Sequence, residues 1–167
     1  MTSVPLSLQR ENEATTQDDL SLRLGNHVTR CDSSLLATSD SPHTARGVRE
    51  GLADLLGQWL AQLEPLRARS GTVFLPFALY DQCSGWLRVT SFDSRTAVVE
   101  VGWSGIEGWS FQPSDFASTA RAMTDFEPSL GTALRCGLGE LIATVRQNHE
   151  DVRLGFRRPR GDPAPER

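Results

Sequence analysis

Apolar residues recur with a helical period in the first strongly patterned part of the chain, residues 45–64. They stand three or four positions apart and are Val48, Leu52, Leu55, Leu56, Trp59, Leu60 and Leu63. This spacing predicts an amphipathic helix with one buried face. Ser41-Pro42 or Thr44 can start the helix, and Pro65 ends or kinks it because the proline ring clashes with a helical residue before it.

From Thr72 onward the period changes to two, which predicts strands. The first strand covers residues 72–80 and is nearly all apolar, although Pro76 restricts it to a sheet edge or a bulge. Residues 86–92 and 96–103 form the second and third strands. Because short turns join these strands, we expect them to pair antiparallel.

The tripeptide Gly-Trp-Ser occurs at residues 102–104 and again at 108–110. The short segment between the two tryptophans contains two glycines, which is typical of a hairpin loop. A fourth strand is therefore predicted to begin at Trp109, with Trp103 and Trp109 close to opposite one another. The four strands make an antiparallel meander over about residues 72–112.

Two more helices are predicted after the strands. Ser114 can cap a short one, with Asp115 in its first turn. A longer one opens at Pro128-Ser129, with apolar residues at the helical spacing Leu130, Leu134, Leu138, Leu141 and Val145. Residues 152–156 alternate and could add a last short strand. The predicted fold class is α+β, a four-stranded meander covered on one face by an N-terminal and a C-terminal amphipathic helix.

The 167 residues suit one domain with tails. Residues 1–44 contain long polar runs, and residues 157–167 are rich in arginine and proline. We expect both segments to be largely disordered, which leaves residues 45–156 as a single α+β domain.

Charge is distributed unevenly along the chain. Residues 70–128 contain seven acids and three arginines, which argues against a nucleic-acid partner because phosphate binding needs clustered positive charge. The acidic centre favours a basic partner, or else it only keeps the domain soluble. All 17 basic residues are arginine, which suggests a high-GC bacterium as the source.

Three cysteines, Cys31, Cys83 and Cys136, are too far apart in sequence for a zinc motif or a disulfide framework to be inferred. The N-terminus lacks the charged and apolar regions of a signal peptide, and no stretch has the about 20 apolar residues that span a bilayer. We expect a cytoplasmic protein without metal, cofactor or membrane association.

Carboxylates at strand ends are the first candidates for chemistry, because catalytic residues tend to lie there. Asp81, Glu107 and Asp115 could act as a general acid and base if two of them were close together. Each also has a simpler role, in a turn, an exposed loop and a helix start respectively. A small enzyme or ligand-binding protein with these residues in a cleft is therefore the alternative function.

Tryptophan is the residue most enriched in binding hot spots, and three of the four tryptophans fall between residues 86 and 109. Trp86 shares a strand face with Arg88 and Thr90, which makes that face look wetter, and an exposed aromatic residue there would be typical of a protein-binding patch. Alternatively, the tryptophans fill the core. We predict a non-enzymatic protein-interaction module that is bacterial and inhibitor- or immunity-like, at the level of fold and charge alone. The predicted partner-binding residues are Trp86, Trp103, Glu107, Trp109 and Asp115.

Overall fold

The computed structural model describes residues 3–12, 14–36 and 44–155. These ranges contain the strands β1 (Leu6–Arg10), β2 (Leu20–Leu24), β3 (His27–Cys31), β4 (Gly71–Leu79), β5 (Ser84–Ser91), β6 (Thr96–Ser104), β7 (Glu127–Pro128) and β8 (Leu134–Gly137). Their α-helices are α1 (Ala45–Leu63), α2 (Ala117–Ala122) and α3 (Leu138–Leu154). The strands form two antiparallel sheets, so the α+β class is confirmed.

The first sheet, β1-β2-β3, lies in the N-terminal segment that the sequence predicts to be largely disordered. Over the described residues that prediction is wrong, because alternate leucines of β1 and β2 are buried: Leu6, Leu8, Leu20, Leu22 and Leu24. The polar run between these strands is partly internal. Asp19 is fully buried and accepts hydrogen bonds from Arg10 Nε at 2.7 Å and from Ser33 N at 2.9 Å.

The predicted C-terminal tail, residues 157–167, lies outside the described residues.

The second sheet has the order β4-β5-β6-β7, and β8 also pairs with β6. Strands β4, β5 and β6 correspond to the three strands predicted over residues 72–103. Strand β4 lies at the edge of this sheet and has a register shift between Pro76 and Ala78, so the expectation of a sheet edge or a bulge at the proline is confirmed. The predicted fourth strand from Trp109 is wrong. β7 and β8 pair with β6 instead, so the meander has three strands and is extended by two short ones.

Helix α1 matches its prediction closely. Thr44 caps it by accepting the Gly47 N–H at 3.1 Å, whereas Ser41 and Pro42 lie outside the described residues. Trp59 is fully buried, and its indole N–H donates to the Pro76 carbonyl at 2.9 Å. This bond fixes the helix against the bulge of β4.

The other two helices begin later than predicted. Helix α2 starts at Ala117, and Ser114 lies in the turn before it. The long helix predicted from Pro128 begins only after strand β8. In β8, Leu134 pairs with Val99 of β6 and Cys136 pairs with Ala97 of β6. Helix α3 then runs to Leu154 in place of the predicted last strand, and Phe156 lies outside the described residues.

Helices α1 and α3 pack against each other, and α3 also packs against β1. A single cluster of buried residues extends from Val4 to Val145 and includes both sheets and both long helices. The N-terminal sheet is therefore part of the same core as the meander.

Candidate partner-binding surface

Two loops meet at the end of the five-stranded sheet where β4 and β6 finish. The Gly108 N–H donates to the Tyr80 carbonyl at 2.7 Å, and Ser84 Oγ donates to the Ile106 carbonyl at 2.7 Å. A Cβ at Gly108 would stand 2.7 Å from backbone atoms of Leu79, so only glycine allows this approach. The contact places Glu107 and Trp109 beside the turn that carries Asp81.

A third segment reaches this end of the sheet through Asp125. Its carboxylate accepts Ser104 Oγ–H at 2.6 Å and the Gly105 N–H at 2.7 Å. These two hydrogen bonds, that of Ser104 first, hold the pKa of Asp125 below its ordinary value of 3.8. Asp125 therefore stays ionised and orders the start of the loop that leads to Trp109.

Aromatic rings line the same end of the sheet. Trp103 is half-buried, stacked on Tyr80 with ring centroids 6.2 Å apart and edge-on to Phe77 at 5.8 Å. The predicted pairing of Trp103 with Trp109 is wrong, because Trp103 lies opposite Gly85 and Glu127 in the sheet. Trp109 is 61% exposed.

Trp86 is fully buried, which agrees with the alternative that the tryptophans fill the core and removes Trp86 from the predicted partner-binding residues. Its indole N–H donates to Ser84 Oγ at 2.8 Å, and its ring lies 5.2 Å from that of Phe111 and 6.2 Å from that of Phe116. The wetter strand face expected for Trp86 does carry Arg88, which is half-exposed and pairs with Glu100 at 2.7 Å. Phe111 and Phe116, which follow the Trp109 loop, pack against Trp86 on that face.

The carboxylates at this end of the sheet are exposed: Asp81, Glu107, Asp125 and Glu127. Asp115 is exposed too and follows the loop, where its N–H donates to the Gln112 carbonyl at 3.0 Å. None of these five side chains is ion-paired with another described residue. We call Asp81, Trp103, Glu107, Trp109, Asp125 and Glu127 the Trp109 surface.

The structure thus brings together three of the five residues predicted to bind a partner, Trp103, Glu107 and Trp109. Asp81 joins them from the alternative catalytic set. Asp125 and Glu127 carry no signal in the sequence, because the groups they approach stand about twenty residues earlier in the chain.

Within the described ranges no group of three His, Cys, Asp or Glu side chains is placed to hold a metal ion. In the same part of the chain, no helix has the length and apolar content needed to cross a membrane. Comparison of the chain with protein-family models, curated proteins and solved structures gave no match. The function is therefore argued from the Trp109 surface itself.

Proposed function

We propose that the protein is a non-enzymatic interaction module that binds a basic partner protein through the Trp109 surface. One observation carries the proposal: a largely exposed tryptophan stands on a fixed loop among carboxylates that no described residue neutralises. Of the predicted partner-binding residues, the proposal retains Trp103, Glu107 and Trp109, which lie on this surface, and the exposed Asp115, which follows its loop. It omits the buried Trp86.

The aromatic groups supply the apolar part of the contact. Trp109 presents a large ring on a backbone that the Gly108–Tyr80 hydrogen bond holds in place, so little loop entropy is lost on binding. The stacked pair of Trp103 and Tyr80 lies beside it and is partly accessible. Tryptophan in such a setting is typical of an interface hot spot.

The carboxylates determine which partner fits. The exposed carboxylates repel one another, and an oppositely charged partner surface reduces this repulsion. The same charge complementarity also raises the association rate. An arginine or lysine of the partner can lie on the face of Trp109 while it pairs with Glu107. A basic partner therefore satisfies both parts of the surface at once.

An inhibitor- or immunity-like role follows as the more specific form of the proposal. An enzyme that acts on nucleic acid has a positively charged cleft for phosphates. An acidic surface with a protruding aromatic side chain is complementary to such a cleft. In this form of the proposal the protein is bacterial and acts in the cytoplasm.

The described cavities offer no support for the alternative catalytic cleft. One of about 280 Å³ lies between α1 and α3, and one of about 270 Å³ lies between β1 and α3. Neither is lined by Asp81, Glu107 or Asp115. The proposed function is therefore binding through the exposed Trp109 surface, not catalysis in a cleft.

Site-specific photo-cross-linking tests the proposal. A benzophenone amino acid replaces Trp109 in one variant and Phe92 in the control variant. Phe92 is 84% exposed and lies in the β5–β6 turn, at the other end of β6. We expect irradiation in the native lysate to give a discrete adduct with a basic protein only from position 109. The same adducts from both positions, or an acidic protein at position 109, would contradict the proposal.

A further inference from the structure

Strand β4 forms one edge of the five-stranded sheet, and side chains close the second half of this edge. The Pro76 carbonyl accepts the Trp59 indole N–H at 2.9 Å, and the Phe77 carbonyl accepts the Cys31 S–H at 3.5 Å. Pro76 has no N–H to donate, and the register with β5 shifts after it. These features prevent another strand from pairing with this half of β4.

The first half of β4, residues 71–75, is open. Backbone groups of alternate residues in an antiparallel strand point to opposite sides. The Pro76 carbonyl points away from β5, so the N–H and C=O of Thr72 and Phe74 do too, because the register is regular from Gly71 to Pro76. Within the described ranges, no hydrogen bond reaches these four backbone groups. Thr72 is exposed and Phe74 is half-buried, so the open edge is accessible.

The other outer strands carry features that oppose pairing with a further strand. On β1, the Asn148 amide occupies the N–H and C=O of Leu8. Strands β3 and β8 each contain an exposed arginine, Arg30 and Arg135, and charge on an edge strand disfavours the addition of another strand. Residues 71–75 have the uncharged sequence Gly-Thr-Val-Phe-Leu, whose β-branched and aromatic residues favour strand pairing.

We propose that two copies of the chain pair antiparallel through residues 71–75 of β4, across a two-fold axis at Val73. In this register Thr72 of each copy lies opposite Phe74 of the other. All four outward N–H groups of the pair then donate to outward C=O groups. Val73 lies beside its own counterpart, and no like charges are brought together. The result is one continuous sheet across both copies.

The surroundings of this edge favour a second copy over a strand of a different protein. Domains that bind a foreign strand combine backbone hydrogen bonds with pockets for its alternate side chains. Neither of the two described cavities is lined by a residue of β4. A second copy presents the same five uncharged residues in the opposite direction and covers the open length from end to end. Because so short an interface is small, we expect a weak dimer.

The pairing is independent of the proposed function. Gly71 lies opposite Ser91, at the end of the sheet away from the Trp109 surface. The dimer therefore leaves both copies of that surface free, and a failure of either proposal does not affect the other.

Amide hydrogen exchange over a concentration series tests the pairing, with sedimentation equilibrium giving the mass. We expect the Thr72 and Phe74 amides to become at least about fivefold more protected between about 10 µM and 1 mM protein, as the mass rises toward that of a dimer. The amide of Val28 in the outer strand β3 should not change. A monomeric mass with free exchange at every concentration overturns the proposal. Equal protection at every concentration also overturns it, because a segment of the same chain would then cover the edge.

Thr72→Pro tests the backbone hydrogen bonds. An edge strand tolerates proline where the N–H points outward, so the monomer should fold. Two symmetric hydrogen bonds are lost, and dimerisation should weaken about tenfold or more. Thr72→Ala is the control, since it loses the same hydroxyl contact with Thr90 Oγ1 but keeps the N–H, and it should dimerise like wild type. Thermal unfolding checks that both variants fold. Equal dimerisation of the two variants would show that the copies meet through another surface, which overturns the proposal.

Val73→Cys tests the register. At the axis, Val73 and its counterpart form a non-hydrogen-bonded pair with Cα atoms about 4.5 Å apart, a distance that a disulfide can bridge. We expect mild oxidation to link the two copies through position 73, as mapped by mass spectrometry. Thr90→Cys is the control, because Thr90 lies one strand further from the axis and should not link to its counterpart. Linkage at position 90 without linkage at position 73 contradicts the proposed register.

Discussion

The side chain of Asn148 in α3 completes the backbone hydrogen bonding of Leu8 in β1. Its Oδ1 accepts the Leu8 N–H at 2.8 Å, and its Nδ2 donates to the Leu8 carbonyl at 3.0 Å. The amide thus takes the place that a neighbouring strand would have at this edge of the sheet. These two buried bonds join residues 140 positions apart and tie the N-terminal sheet to the last helix.

Asn148→Ala should lower the free energy of unfolding by about 2 to 4 kcal/mol, because two buried backbone groups lose their partners. Urea denaturation measures the loss. Gln147→Ala is the control, since Gln147 is exposed and should change stability by no more than about 0.5 kcal/mol. Similar small losses in both variants would mean that water replaces the amide at no cost.

The sequence alone predicts the parts of the fold that depend on local periodicity. Helix α1 and strands β4 to β6 each have a long, regular apolar pattern, and each forms where it is predicted. The N-terminal sheet is not evident from the sequence because its polar run has the composition of a solvated segment, whereas Arg10 and Asp19 within it pair with each other inside the protein.

The parts of the site that could not be predicted depend on contacts distant in sequence. The alternation of side chains along β5 predicts on which face of the sheet Trp86 lies. The burial of Trp86 depends on Phe111 and Phe116, which come much later in the chain. Likewise, Leu134 and Leu138 have a helical spacing, and only pairing with β6 makes the first of them part of a strand.

Gly108→Ala should displace the loop that carries Trp109. The added Cβ would meet the Leu79 and Tyr80 backbone at 2.7 Å, so the Gly108–Tyr80 hydrogen bond must lengthen. We expect a stability loss of about 1 to 3 kcal/mol together with shifts of the Trp109 indole and Tyr80 amide resonances. Gly139→Ala is the control, because no atom lies within 4 Å of its Cβ position and alanine favours the helix. An unchanged Trp109 resonance in Gly108→Ala would contradict the described loop contact.

The hydrogen bonds to Asp125 should make part of the stability depend on pH. Because the pKa of Asp125 in the folded state lies below its ordinary value of 3.8, the ionised carboxylate stabilises the fold above that value. This contribution is lost as the pH falls through the lowered pKa. Wild type should therefore exceed Asp125→Asn in stability at neutral pH, and the difference should shrink under acidic conditions.

Urea denaturation from about pH 7 to pH 3 measures that difference. Ser104→Ala removes the largest of the contacts that lower this pKa, so Asp125→Asn should matter less in that background. A stability difference between wild type and Asp125→Asn that grows toward low pH would show that the carboxylate is not stabilised in the folded state.

The most direct test of the proposed function is the affinity for the protein captured at position 109, measured by calorimetry at low and high salt, about 50 and 500 mM. Trp109→Ala should weaken binding about 30-fold or more at both, as expected for a hot spot. The double variant Glu107→Gln, Asp115→Asn should bind more weakly at low salt and show a flatter salt dependence. Glu140→Gln, an exposed carboxylate near the start of α3, serves as the charge control. Wild-type affinity and an unchanged salt dependence in both the Trp109 and the double variant would contradict binding through the Trp109 surface.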